Sequence, residues 1–324
     1  MLINNVALET TFRQDVIAGL SSDSKYLSPK YFYDAKGDYL FQQIMDCPEY
    51  YLTRAEREIL STQSRKIAQH CANLHPTFDL VELGAGDASK TVHLLDAALQ
   101  LQCCQRYFPI DISENMIDHL NWTLPSKFPG LQVKGLAGEY FPMLERLKVE
   151  STQPKLVLFL GATIGNMLPD EALVFCQTLR TFLNPGDLLL IGFDLKKNPQ
   201  IILNAYNDRG GLTRDFNYNL LDRINRELGA NFDTTYFKHY PVYDPGTGSC
   251  KSYLISTRSQ SVVLVDGTEF NFGKDEAIYM EVSQKYSKNE IDQLGISAGY
   301  EAIESYFDRQ RWFVDVLWRV PVVS

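Results

Sequence analysis

The chain has 324 residues, 45% hydrophobic and 22% charged, with a formal net charge of −9. That is the composition of a globular protein long enough to bury a large core in one elaborated domain or two. The acidic balance and the lack of a basic run exclude nucleic acid as the main partner. No apolar run approaches membrane-spanning length, and the amino-terminal MLINNVALETTF has no signal-peptide pattern, so no membrane partner and a cytoplasmic location are expected. The six cysteines form no C-x-x-C pair and the five histidines complete no zinc spacing, so reduced thiols and no metal are expected.

In chain order, Glu9–Leu20 has the pattern of a short helix. The aromatic, turn-rich Tyr31–Asp38 follows, and Asp38 is the expected cap of a helix to about Met45. Thr53-Arg-Ala-Glu56 has the form of a capping box that opens a long helix to about Ala72, with Arg54, Glu56, Arg57 and Glu58 on a solvated face. From Phe78 onward strands and helices alternate. The strands expected are Phe78–Leu83, Arg106–Asp111, Leu131–Leu136, Lys155–Leu160 and Leu188–Phe193. Helices run between them from about Ala88, Glu114 and Pro169. This order implies a parallel sheet with helices on both faces.

The rhythm changes after Asp194. A helical stretch broken at Gly210-Gly211 precedes short antiparallel strands at Tyr236–Tyr243, Ser252–Thr257, Ser261–Val265 and Thr268–Phe272, with Asp266-Gly267 as a hairpin turn. Ser287-Lys-Asn-Glu290 is a second capping box. Tyr300–Tyr306 and Trp312–Val320 then alternate as a terminal hairpin on the edge of the main sheet. The expected organisation is an N-terminal helical segment over 1–60, an α/β domain over 61–195 and 286–324, and an inserted α+β lobe over 196–285.

Ligands of an open parallel sheet bind beyond the carboxyl ends of its strands. The first strand ends in Glu82, a carboxylate placed to face a bound cofactor, and in Gly84 and Gly86, which let the backbone turn sharply and approach a ligand. A dinucleotide site is an alternative at this point, although Ser89 stands where G-x-G-x-x-G needs its third glycine. The second strand ends in Asp111, suited to ribose hydroxyls. After the third come Glu139 and Tyr140, suited to an adenine. The fourth ends in Leu160-Gly-Ala-Thr-Ile-Gly-Asn166, where Gly161 lets a substrate approach and Asn166 offers a donor and an acceptor. This ordered recurrence, with the terminal hairpin, resembles the class I S-adenosylmethionine (SAM)-dependent methyltransferases with their Rossmann-like sheet.

Six segments carry a closer resemblance: Tyr31-Phe-Tyr-Asp-Ala-Lys-Gly37, Pro48-Glu-Tyr-Tyr-Leu-Thr-Arg54, Val81-Glu-Leu-Gly-Ala-Gly86, Gly161-Ala-Thr-Ile-Gly-Asn166, Ala205-Tyr-Asn-Asp208 and Glu281-Val-Ser-Gln-Lys285. Together they resemble the histidine Nα-methyltransferases of ergothioneine biosynthesis, the EgtD family, over nearly the whole chain. The resemblance implies a methyltransferase domain with a substrate lobe inserted after the fifth strand. It implies that Gly84, Lys90 and Asp111 contact SAM, with Glu139 and Tyr140 on the adenine side, where the family more often has Asp-Phe. It further implies that Asn166 and Tyr206 hold the α-carboxylate and amine of a small amino-acid substrate. Tyr50, Glu281 and Ser283 would line an imidazole pocket, and Tyr33 would lie near the reacting amine. Ser252 falls near a pocket position where the family's histidine enzyme has methionine. The expected activity is successive Nα-methylation of histidine to hercynine by a monomer or weak oligomer. The alternatives are another acceptor, tryptophan or tyrosine, or a non-catalytic SAM-binding subunit.

Overall fold

The structure, a computed structural model, describes residues 2–322. The chain divides into two compact units, one formed by residues 52–196 and 284–324 and the other by 1–51 and 197–283.

The larger unit is built on an eight-stranded, mostly parallel sheet. Its strands are β1 (Asp79–Leu83), β2 (Arg106–Asp111), β3 (Gln132–Val133), β4 (Leu136–Ala137), β5 (Lys155–Phe159), β6 (Leu188–Asp194), β12 (Glu301–Phe307) and β13 (Phe313–Arg319). They lie in the order β12-β13-β6-β5-β1-β2-β3, with β4 also beside β2. In β1 every residue is buried, because helices cover both faces of a parallel sheet. Val81 lies opposite Phe108 on one side and Val157 on the other. The chain winds outward from β1 through β2, then returns to place β5 on the opposite side of β1. The switch point therefore lies between the ends of β1 and β5. The terminal hairpin forms as expected, with β13 antiparallel to both β12 and β6.

Several local expectations need correction. The third strand is not continuous but two two-residue pieces, interrupted at Lys134-Gly135. The Lys134 amide still donates to the Tyr107 carbonyl of β2, but the Gly135 amide donates to the Asn121 side chain instead. The helix after β1, α4 (Val92–Gln100), starts at Val92 rather than Ala88. Ala88 has φ +53°, a left-handed conformation incompatible with a helix start, and it extends the glycine turn. The long helix α3 (Leu52–Leu74) begins one residue before Thr53, and Glu56 neither caps it nor faces water, since it is fully buried.

Elsewhere the turn chemistry works as read. Asp187 accepts from the Asn184 amide at 2.8 Å and the Lys155 amide at 2.9 Å, stopping α7 (Pro169–Thr181) and fixing the entry to β6. Ser287 and Glu290 form a reciprocal capping box at the start of α10 (Lys288–Ala298).

The second unit contains α1 (Leu2–Leu20), α2 (Ala35–Asp46), α8 (Pro199–Ala205) and α9 (Leu212–Leu228). It also holds a three-stranded sheet in the order β11-β8-β7 and the two-stranded β9/β10 hairpin. These strands are β7 (Phe237–Tyr243), β8 (Ser249–Ser256), β9 (Gln260–Val263), β10 (Glu269–Phe272) and β11 (Ala277–Gln284). Asp34, not Asp38, caps α2, accepting from the Gly37 amide at 2.7 Å. The same Asp34 oxygen accepts from Asn219 of α9 at 2.7 Å, so one carboxylate joins α2 to α9. Phe32, Leu40, Phe216, Leu220, Leu254 and Met280 share one core. Among the described residues, no helix is long and apolar enough to cross a membrane.

Candidate active site

In the larger unit, the residues expected to hold the donor gather at the carboxyl edge of the sheet. Gly84 and Gly86 have φ +72° and +49°, in the region glycine favours. A Cβ on Gly84 would stand 2.8 Å from the Tyr140 hydroxyl, so a side chain there would fill the gap between turn and ring. Asp111 is half-buried. One oxygen accepts from the Gly86 amide and the other from Ser113, both at 3.0 Å. It therefore fixes the turn while standing at the end of β2. Tyr140 opens α6 (Tyr140–Glu150), and burial, with the Asp111 charge, pushes its hydroxyl up to about 12, so it is a neutral donor. Glu139 is exposed just before it.

Glu82 is 3% exposed, and both its oxygens are engaged internally. One accepts from Thr91 at 2.6 Å and the other from the Tyr107 hydroxyl. Burial pushes its carboxyl up to about 7 against the pull of those bonds. In this arrangement Glu82 ties both ends of the glycine turn to β2.

Across the switch point, Gly161 at the end of β5 has φ +77° and its amide donates to Glu56 at 2.6 Å. The other Glu56 oxygen accepts from Lys90. The loop then turns through Ala162, φ +54°, into a short 3-10 segment over Thr163–Asn166, which leaves Asn166 exposed. Gly165 is required by packing, because a Cβ there would meet the Gln284 carbonyl at 2.9 Å. Glu56 and Asp315 were not among the sequence candidates. The available signal was a charge inside an apolar pattern. Glu56 shares the helical stripe of Ile59, Leu60 and Ile67, and Asp315 interrupts the apolar run of β13.

In the second unit, the Tyr206 hydroxyl donates to Ser283 at 2.6 Å, and both residues are 7% exposed. Ser252, 1% exposed on β8, donates to Glu281 at 3.0 Å. Glu281 and Ser283 are two residues apart on β11, the spacing that puts side chains on one face of a strand. The ring of Tyr50 stands edge-on to Tyr206 at 6.2 Å. Tyr33 is 44% exposed and packs edge-on against Phe41 and Phe216 at 5.6 and 5.7 Å. This unit thus brings together four hydrogen-bonding side chains and an aromatic wall. Among the described residues, no cluster of three or more His, Cys, Asp or Glu could hold a metal ion.

A mostly parallel sheet with a glycine turn at its switch point and an antiparallel edge hairpin is the architecture of a class I SAM-dependent methyltransferase. Within that class, the chain belongs to the family described as histidine-specific, SAM-dependent methyltransferases, which matches residues 12–320. It is 37% identical over 280 residues to the histidine N-alpha-methyltransferase of Mycolicibacterium smegmatis, spanning 86% of this chain and 85% of that protein. The protein of the same name from Mycobacterium tuberculosis is 35% identical over 305 residues, spanning 94% and 91%. Ergothioneine biosynthesis protein 1 of Schizosaccharomyces pombe is 30% identical over 313 residues, which are 94% of this chain and 40% of that longer protein.

Proposed function

We propose that this chain transfers methyl groups from SAM to the α-amino group of L-histidine, in succession, to give the trimethylated betaine hercynine on a route to ergothioneine. Family membership supports the reaction class. The observation that carries the acceptor assignment is the Ser252–Glu281 pair beside the Tyr206–Ser283 pair. A carboxylate retained in a mostly buried, aromatic-lined region needs a polar partner, and an imidazolium supplies a charge-assisted one with two N–H donors where indole or phenol offers a single neutral donor.

SAM, when bound, supplies an electrophilic methyl on a sulfonium. The side chains that fit it are the glycine turn, Lys90, Asp111, Glu139 and Tyr140, and their task is to bind and orient. In-line displacement depends on positioning more than on acid–base work. Asn166 and Tyr206 are assigned to the amino-acid end of the acceptor, and Tyr50, Glu281 and Ser283 to the ring. The α-amine must lose a proton before each transfer. Tyr33, with its partly exposed ring, is assigned to pass that proton to water.

A tryptophan or tyrosine acceptor is the second reading, favoured by the small side chain of Ser252. Mass analysis of products from SAM and each of the twenty amino acids separates the two. Gains of up to three methyls on histidine are expected, and methylation of tryptophan without histidine would overturn the assignment.

A further inference from the structure

The larger unit holds a buried charged cluster that the methyl-transfer reading does not use. Glu56 of α3 and Asp315 of β13 are both 0% exposed. A Cβ built on Gly192, between them in β6, would lie 2.5 Å from a Glu56 oxygen and 3.1 Å from an Asp315 oxygen. Only a residue without a side chain lets the two carboxyl groups approach there. Neither Asp315 oxygen has a hydrogen-bond partner among the described residues. Both Glu56 oxygens are engaged, one by the Gly161 amide and the other by Lys90. Lys90 lies in the loop after β1 and Gly161 in the loop after β5, so the contacts of Glu56 span the switch point.

We propose that Glu56 is a positioning residue for methyl transfer: one carboxylate fixes the Lys90 ammonium on the donor-binding loop and the Gly161 amide on the acceptor-side loop in a single frame. This rests on the methyltransferase reading of those two loops.

The electrostatics fit the role. Burial, reinforced by the Glu56 charge and only partly offset by Lys90, raises the Asp315 carboxyl well above its usual range. Asp315 therefore holds its proton more tightly than a free carboxyl does. Burial would by itself lower the Lys90 ammonium, but attraction and a hydrogen bond to Glu56, the largest of the opposing effects, hold it above its ordinary value. The Lys90 side chain keeps 23% of its surface exposed. Its ammonium is anchored by Glu56 on the loop that follows β1.

The test separates the two contacts. In Glu56→Gln the amide oxygen can still accept from Gly161, but its NH2 opposes Lys90, whereas Glu56→Leu loses both contacts. S-adenosylhomocysteine affinity is measured by calorimetry without acceptor, alongside hydrogen exchange of the peptide spanning 159–166. Wild type, both Glu56 variants, Lys90→Met and the Glu56→Gln/Lys90→Met double variant are compared, with folding checked by circular dichroism.

Glu56→Gln is expected to weaken binding at least fivefold with exchange unchanged, and Glu56→Leu to accelerate exchange as well. In the Lys90→Met background the same Glu56→Gln change is expected to cost less than twofold. A folded Glu56→Gln protein with wild-type affinity, or a cost that stays the same without Lys90, would overturn the proposal. Wild-type protein that binds S-adenosylhomocysteine but methylates no amino acid would overturn the function reading alone, leaving the cycle interpretable.

Discussion

The hydroxyl of Ser252 donates to a carboxylate oxygen of Glu281 at 3.0 Å, joining β8 to β11 in the unit assigned to the acceptor. The side chain that stands near the position where the family's histidine enzyme has methionine is thus bonded to the one carboxylate assigned to the ring. Hydrogen bonds to a charged group contribute roughly 1.5–3 kcal/mol. Ser252→Ala is therefore expected to lower kcat/KM for histidine by about tenfold or more, mainly through KM. Steady-state kinetics at saturating SAM checks this, and an unchanged KM would remove Ser252 from the acceptor site.

Tyr206 and Ser283 form a second, neutral pair at 2.6 Å. Tyr206→Phe removes the hydroxyl and keeps the ring stacked edge-on to Tyr50. A net cost of about 1 kcal/mol is expected, or roughly a fivefold rise in KM for the acceptor with S-adenosylhomocysteine affinity unchanged. Calorimetry and kinetics on the same preparation separate those two effects.

His239 gives the second unit an acid-sensitive point. It is 8% exposed, its Nε2 has no hydrogen-bond partner among the described residues, and burial lowers its imidazole to about 4. The unfolded chain takes up the proton near pH 6.5 while the folded chain does not, so folding loses stability as pH falls from about 6.5 toward 4. The full loss amounts to about 3 kcal/mol. His239→Gln is expected to flatten that part of the profile. Urea titrations followed by circular dichroism at several pH values would show it, and a wild-type profile flat over this window would contradict it.

Asp315 acts in the opposite direction. Its carboxyl is raised in the folded state, so stability is full below about pH 3.8 and falls as pH rises and the unfolded chain releases the proton. Asp315→Asn is neutral at every pH. It is expected to melt a few degrees above wild type at pH 7 and to lose that advantage near pH 4. A lower Tm at pH 7 would mean that the aspartate is ionised and paired in the folded protein.

Much of the fold was legible because its signals are local. Apolar runs marked β5 and β6, and the apolar Phe78, Leu80, Val81 and Leu83 marked β1, while Asn184-Pro-Gly-Asp187 and Ser287–Glu290 announced turns whose hydrogen bonds are the ones formed. The failures came where tertiary partners decide. Glu56 satisfies a capping-box pattern, yet the helix places it on the buried stripe, where its bonds reach residues 34 and 105 positions away. Asp38 stood in a plausible cap position, but Asp34 has Asn219 and Arg226 as additional partners. The interruption between β3 and β4 depends on the Asn121 side chain, which no reading of residues 131–136 could supply. Among the site residues, glycines and strand-end acids were visible by position. The Ser252–Glu281 bond was not, because 29 residues separate the two.

Acceptor identity is the central claim, and competition tests it most directly. Purified protein is incubated with SAM and an equimolar mixture of the twenty amino acids, and product masses are followed over time. Histidine is expected to gain one, two and then three methyls ahead of any other amino acid, and a Glu281→Ala variant to lose most of that preference. Methylation of a different amino acid first, or a Glu281→Ala variant that selects histidine as sharply as wild type, would contradict the account.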